Sequence, residues 1–212
     1  FMNSGDSFLK GVEIIKVISK NGYKAYIVGG AIRDVILDKK PTDIDIVTNA
    51  PMEIVKKSFK DAKQIFPKQY GSFKIENGNG NIEIIRMRKD RESYGRHADI
   101  EFTDNIRDDL TRRDLTINAL ALKDDLSIID FFHGLDDIEN HVIKIIGNPI
   151  TRFEEDNLRI LRTIRFAAQL SFDIEHFTKK AIIKCVDLVG NLSPQWLWRE
   201  MSCGMASPGK LK

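Results

Sequence analysis

The sequence predicts an α+β chain, a head with a mixed sheet followed by an all-α neck, and three observations carry that prediction. Around Tyr26 an apolar run enters Gly29-Gly30, which opens a helical stretch and leads to a second apolar run holding Asp43 and Asp45. Residues 71–76 and 82–87 read as strands joined by Asn77-Gly78-Asn79-Gly80, a sequence that supplies the positive-φ residues of a hairpin turn. Beyond Gly147-Asn148-Pro149 every periodic segment has helical spacing.

Taken in order, residues 7–20 place Phe8, Val12, Ile15, Val17 and Ile18 at roughly helical spacing, and Asn21-Gly22 closes that helix. Asn49-Ala50-Pro51 opens a further helix reaching about Phe59, with proline early as a first turn tolerates. Residues 89–109 are polar and aperiodic, which predicts a long surface loop with a functional reason for its length. Residues 115–122 read as a short helix or a helix-to-strand passage, Asp124-Asp125 as a turn, and 127–131 and 142–146 as strands. Helices are expected over 151–170 and 174–189, with another starting at Ser193-Pro194. The domain boundary is placed between 148 and 149, giving a head of residues 1–148 and a neck of 149–212. The Gly/Ser/Pro-containing tail from Ser202 onward closes no element, so the chain reads as part of something longer, and Phe1 before Met2 reads as a cloning remnant.

Composition narrows the function. The net charge of +2 in 212 residues requires any nucleic-acid binding to come from a local basic surface. Cys185, Cys203 and four scattered histidines lack zinc or disulfide spacing, which suits a reducing, cytoplasmic setting. No apolar run is long enough to span a bilayer, so no membrane partner is expected. No Ser/His/Asp or Cys/His set offers a protein nucleophile.

The chemistry sits in the acidic residues. Asp43 and Asp45 are two apart on a strand and therefore share a face. Such a pair is either a solvated edge or a cation site. Ile44, Ile46 and Val47 make the strand apolar, and Gly29-Gly30 lies just upstream as either a structural turn or a phosphate cradle, so coordination of Mg²⁺ is the better account. Arg33, one helical turn from the glycines, reaches a triphosphate or pairs with Asp34. Glu83 either faces solvent or brings a third carboxylate from a neighbouring strand. Two Mg²⁺ ions about 3.5–4 Å apart would activate a 3′-hydroxyl and steady the α-phosphate with its leaving pyrophosphate.

In order and spacing, GGAIRDVILDKKPTDIDIV, RRDLTINALAL from Arg112, DFFHGLDDI from Asp130 and EEDNLRILRTIRF from Glu154 resemble the motifs of the bacterial-type tRNA nucleotidyltransferase and poly(A) polymerase family. The resemblance implies a DNA polymerase β-like head. It further implies Gly29, Gly30 and Arg33 at the triphosphate, Asp43 and Asp45 on Mg²⁺, and Arg113, Asp114 and Asn118 around the ribose and phosphates, although Asp114 and Asn118 at i, i+4 would also brace each other. Asp156, Arg159, Arg162 and Arg165 are implied to line the nucleotide site, with a basic stripe paired to acidic neighbours as the alternative for the arginines.

Physical reasoning supports part of that implication. An acceptor on Asp156 and a donor on Arg159, neighbours around one helix, match the amino group and ring nitrogen of cytosine or adenine and mismatch guanine and uracil. The side chains would then act as a template for CTP and ATP. The implied partner is tRNA, extended by C, C and A. A bacterial poly(A) polymerase shares every motif, and a silent RNA-binding module or an enzyme that modifies a small molecule or protein would have less need of these residues. The 89–109 segment resembles the family's flexible loop, with Arg96-His97-Ala98 where a proline is usual. Trp196 and Trp198, at helical spacing, are expected to pack inside rather than stack on RNA.

Overall fold

The computed structural model describes residues 5–65, 71–77, 80–90 and 100–205, and it divides into two compact units. Among the described residues, one comprises those up to 90 together with 100–112 and 118–131, and the other comprises Arg113–Ile117 and 132–205.

The first unit is built on a seven-stranded mixed sheet. Helix α1 (Asp6–Lys20) buries Phe8, Ile14, Ile15 and Ile18 on one face and ends at Asn21, with Gly22 at φ 84°. A Cβ on Gly11 would lie 2.9 Å from Ile44 Cγ2 and 3.2 Å from Ile27 Cδ1, so only glycine lets this helix settle so closely on the sheet. Strand β1 (Ala25–Val28) leads through Gly29 into α2 (Gly30–Ile36), and β2 (Asp43–Thr48) returns antiparallel to β1 with Val28 opposite Asp45. Helix α3 (Met52–Ser58) begins after Pro51, as expected.

Strands β3 (Lys63–Ile65), β4 (Ser72–Asn77) and β5 (Gly80–Arg86) extend the sheet on one side. β4 and β5 form the expected hairpin, pairing through Asn77 and Gly80, and β5 runs parallel to β2. The short β3 is an addition to the sequence reading.

The expected 89–109 loop is structured at both ends. Strand β6 (Arg88–Asp90) pairs antiparallel with β7 (Ile100–Phe102), and α4 (Ile106–Thr111) follows. Three-residue strands are too short to show a period, which is why sequence patterning missed them. Arg96-His97-Ala98 lies outside the described residues. A 3₁₀ turn at Thr116–Asn118 precedes β8 (Leu120–Leu122), and β9 (Ile128–Asp130) closes the sheet in the order β3-β4-β5-β2-β1-β8-β9. The core lies on Ile27, Ile32, Ile44, Ile46, Ile82 and Ile84, all inaccessible to solvent or nearly so.

The second unit starts with α5 (Gly134–Glu139), which the sequence reading did not identify, and β10 (Val142–Ile143). Asn148 caps α6 (Pro149–Glu155) by accepting from the N–H groups of Ile150 and Thr151 at 3.0 and 3.2 Å, and Pro149 occupies the tolerated first turn. The helix expected over 151–170 is broken. Asp156 adopts φ −147°, ψ 103° and accepts from the Leu158 N–H at 3.1 Å, which starts α7 (Leu158–Leu170) afresh. A carboxylate competing for backbone N–H groups is the physical reason.

β11 (Asp173–Ile174) pairs parallel with β10, so the unit is helical with one small two-stranded sheet rather than all-α. Helix α8 (His176–Cys185) is capped by the Glu175 carboxylate, accepting from Thr178 N–H at 2.8 Å, and passes into a 3₁₀ turn at Val186–Asn191 where a longer helix was expected. Helix α9 (Pro194–Met205) packs on α7. Trp198 on α9 is exposed, against the expectation of burial, while Trp196 is half-buried with the Arg199 guanidinium 5.3 Å above its ring.

No helix among the described residues is long and apolar enough to cross a membrane.

Candidate active site

In the first unit β2 alternates over its first four residues: Ile44 and Ile46 point into the core, and Asp43 and Asp45 point out together. β1 pairs with β2 up to the register Val28–Asp45 and then turns at Gly29-Gly30, so the glycine turn lies immediately beside the acidic pair. Gly29 holds φ 79°, ψ −146°, a conformation L side chains rarely adopt, and its N–H donates to the Leu120 carbonyl at 3.3 Å. That N–H is used inside the fold.

Arg33 is buried. Its Nε and Nη2 donate to Asp34 Oδ1 at 2.9 and 2.7 Å, and Nη1 donates to Asn118 Oδ1 at 2.6 Å. A Cβ on Gly30 would come within 3.1 Å of Arg33 Nη2, so the second glycine gives the guanidinium room. The Asp34 pairing raised from the sequence is present. Asn118 serves Arg33, and its place in a 3₁₀ turn removes the helical i, i+4 geometry that would have set it against Asp114.

Asp43 accepts from Asn81 Nδ2 at 3.1 Å, and Glu83 on β5 stands in register with Asp45. Partial burial pushes the Glu83 carboxyl up, the Asp45 charge pushes it further, and Lys74 and Arg88 oppose the shift. Among the described residues no group of three or more His, Cys, Asp or Glu is assembled to hold a metal. The acidic set is therefore a pair of carboxylates with a third in the adjoining register. Two carboxylates, hard oxygen donors that raise a neighbour's proton affinity, fit a divalent cation of the Mg²⁺ type, which takes one or two protein carboxylates and completes its shell with phosphate and water.

The second unit holds the other expected residues. Arg113–Ile117 joins it by a backbone pairing: Thr116 N–H donates to Lys144 O and Ile146 N–H to Asp114 O, both at 3.0 Å, with Leu115 opposite Ile145. Asp114 is nearly buried and binds two arginines, Arg159 through Nε at 3.0 Å and Arg162 through Nε at 2.7 Å. Arg159 Nη1 also donates to Glu155 Oε2 and to the Arg152 carbonyl, at 2.8 and 2.9 Å. Arg152 in turn reaches Glu155 and the Arg113 carbonyl, each at 2.8 Å. Burial and the neighbouring Arg159 charge push the Arg152 guanidinium down, against Glu155 and Asp114.

Arg165 stands apart from this network. Its Nε lies 2.7 Å from the buried Glu200 carboxylate, Nη1 donates to Gln169, and its guanidinium covers the Phe166 ring. That is the paired basic stripe raised as its alternative. Sequence reasoning gave no role to Arg152 or Glu155; the signal was there in their i, i+3 spacing and in Glu155 standing four before Arg159.

A mixed sheet with paired carboxylates leaving one strand beside a glycine turn defines a nucleotidyltransferase head of the DNA polymerase β type. Residues 25–144 match the Poly A polymerase head domain, and the chain belongs to that family. A CCA-adding enzyme of Streptococcus agalactiae is 41% identical over 188 residues, 88% of this chain and 46% of its own length. The Bacillus licheniformis CCA-adding enzyme is 37% identical over 192 residues, 90% of this chain and 48% of the relative. Among solved structures, the Bacillus stearothermophilus CCA-adding enzyme in complex with CTP aligns at a TM-score of 0.85 and 30% identity, covering 96% of this chain and 50% of that one. A tRNA nucleotidyltransferase complexed with a primer tRNA and an incoming ATP analog aligns at 0.74 and 30%, covering 89% and 55%. The chain thus spans about half the length of the relatives it matches.

Proposed function

We propose that this chain carries template-independent addition of C, C and A to the 3′ end of tRNA, from CTP and ATP, with release of pyrophosphate. The observation that carries the reading is the outward pair Asp43 and Asp45 beside the Gly29-Gly30 turn. The relatives named as CCA-adding enzymes, and the solved relatives holding CTP or primer tRNA with an ATP analog, support it.

In the first unit Asp43 and Asp45 hold Mg²⁺, with Glu83 beside them as a further acidic group. The bound cation supplies charge neutralisation at the α-phosphate and a more acidic 3′-hydroxyl. Gly30 and Arg33 serve the triphosphate, and Asn118 holds Arg33 in place through its 2.6 Å bond. In the second unit Arg113 and Asp114 serve phosphate and ribose, and Arg162, with Arg165 further along α7, belongs to the nucleotide-binding set. Residues 1–148 are the transferring part and 149–212 the nucleotide-selecting part. This division by role falls 17 residues after the last crossing between the compact units, at Phe131 and Phe132.

Base selection falls to Asp156 and Arg159. Asp114, Glu155 and the Arg152 carbonyl occupy Nε and both hydrogens of Nη1, so the Nη2 edge of Arg159 is held in a fixed direction for a base acceptor. A base that meets a fixed donor with another donor leaves a polar group unpaired, at about 1–3 kcal/mol.

The test offers tRNA ending before CCA with each nucleoside triphosphate singly and together, and sequences the products. Ordered C, C and A are expected; a long A tract identifies a poly(A) polymerase, and no extension by the chain joined to the length its relatives have refutes the reading. Asp43→Ala or Asp45→Ala is expected to abolish transfer with the circular dichroism spectrum unchanged.

A further inference from the structure

Helix α8 presents a surface that the nucleotide chemistry does not use. Its buried face is Thr178, Ala181 and Cys185. The opposite arc carries Lys179, Lys180 and Lys184 with Phe177 and Ile183, which are 69% and 68% exposed. At 100° per residue Phe177, Lys180 and Lys184 form one stripe along the helix, and Lys179 and Ile183 form a second stripe next to it. The ammonium groups of Lys180 and Lys184 leave the helix about 6 Å apart along its axis.

None of these three lysines is in an ion pair among the described residues. Of the acids that flank the helix in sequence, Glu175 is committed to the cap, where burial pushes its carboxyl up but backbone N–H bonds, the Thr178 hydroxyl and Lys144 together bring it below the ordinary value. Asp187 lies beyond the helix, in the 3₁₀ turn. A cationic stripe flanked by an exposed aromatic ring is the chemistry that tracks a phosphate backbone and stacks on a base or sugar. An overall charge of +2 makes such a local concentration informative.

We propose that the outer face of α8, centred on Lys180 and Lys184 with Lys179 and Phe177, is an RNA backbone-binding surface. It rests on the reading that the substrate is tRNA, and it assigns to this helix a share of the grip on that substrate, separate from the selection of the nucleotide. The lysines supply sequence-independent attraction, and Phe177 supplies a stacking platform at the end of the stripe.

The probe is tRNA lacking its 3′ CCA, with binding measured between 50 and 200 mM salt for the parent, the triple variant Lys179→Gln, Lys180→Gln, Lys184→Gln, and Phe177→Ala. The triple variant is expected to reduce the slope of log K against log salt by about 2 to 3 and to weaken binding on the order of tenfold at low salt. CTP binding and the circular dichroism spectrum should be unchanged. Phe177→Ala is expected to weaken binding with the slope kept. An unchanged slope in the triple variant, a parent that does not bind this tRNA, or a parent that instead self-associates through this face overturns the surface. A parent that binds with the expected slope, while the chain joined to the length its relatives have adds no nucleotide, refutes the catalytic reading and leaves the surface standing.

Discussion

Glu83 shows how a carboxylate reports on its neighbours. It is half-buried and stands in register with Asp45, and both facts push its proton affinity up. Its folded pKa exceeds its unfolded one, so the folded state binds the extra proton between the two values, and stability falls as pH rises through that window. Glu83→Gln is therefore expected to melt with the parent below about pH 4.5 and above it at neutral pH, in buffers without divalent cation; calorimetry across pH checks this. Asp109 is a different case. It is fully buried, accepts from Arg88 N–H at 3.2 Å, and pairs with the Arg112 guanidinium at 3.0 Å. Asp109→Ala removes the buried acceptor shared by the half-buried Arg112 guanidinium and the Arg88 N–H and should cost about 3 kcal/mol in a denaturant titration. Sequence reading placed Asp109 in a loop because burial of one acid leaves no periodic trace; only the Asp-x-x-Arg spacing hinted at it.

The break between α6 and α7 is the element to which the proposed base selection is assigned. Asp156 has two duties there: its carboxylate caps Leu158 N–H, and it is the proposed acceptor for the incoming base. Asparagine keeps an acceptor for the cap but changes the base-facing group. Asp156→Asn is expected to hold stability within about 0.5 kcal/mol, and Asp156→Ala to cost about 1 kcal/mol. Both should lose discrimination against UTP and GTP in competition assays; unchanged discrimination in both would remove Asp156 from selection. The break at Gly147-Asn148-Pro149 was legible, with the helix expected from 151 beginning two residues earlier at Pro149, and the strands before and after the Gly29-Gly30 turn were legible as apolar runs. The break itself was not, because Asp156 and Asn157 are tolerable helix interiors by composition and only the competition of the side chain for Leu158 N–H decides the outcome. Likewise α5, with six residues, and the three-residue strands are too short for a period to declare itself.

The chain passes between its two compact units more than once, and Arg113–Ile117 belongs to the second although the first resumes at Asn118. The partners of that segment, Lys144, Ile145 and Ile146, come later in the sequence. A fragment ending at residue 131 lacks them, whereas one ending at 148 keeps them. The longer fragment is expected to melt in one sharp transition, and the shorter to melt broadly or aggregate, with Leu115 and Ile117 deprived of the backbone pairing beside them; scanning calorimetry and light scattering distinguish the two. At this scale the sequence located the strand-rich and helix-rich halves, but a five-residue exchange between them depends on long-range pairing that no local pattern encodes.

Gly11 has a consequence well away from its own helix. It touches Ile44, and Ile44 is the inward residue between the two outward aspartates. One added methyl would press from behind on the strand between Asp43 and Asp45, the pair proposed to hold the cation, so Gly11→Ala should lower kcat more than it raises the Kd for CTP, as steady-state kinetics and a binding titration would show. A lesion mapped there would look like damage to packing and behave like damage to catalysis.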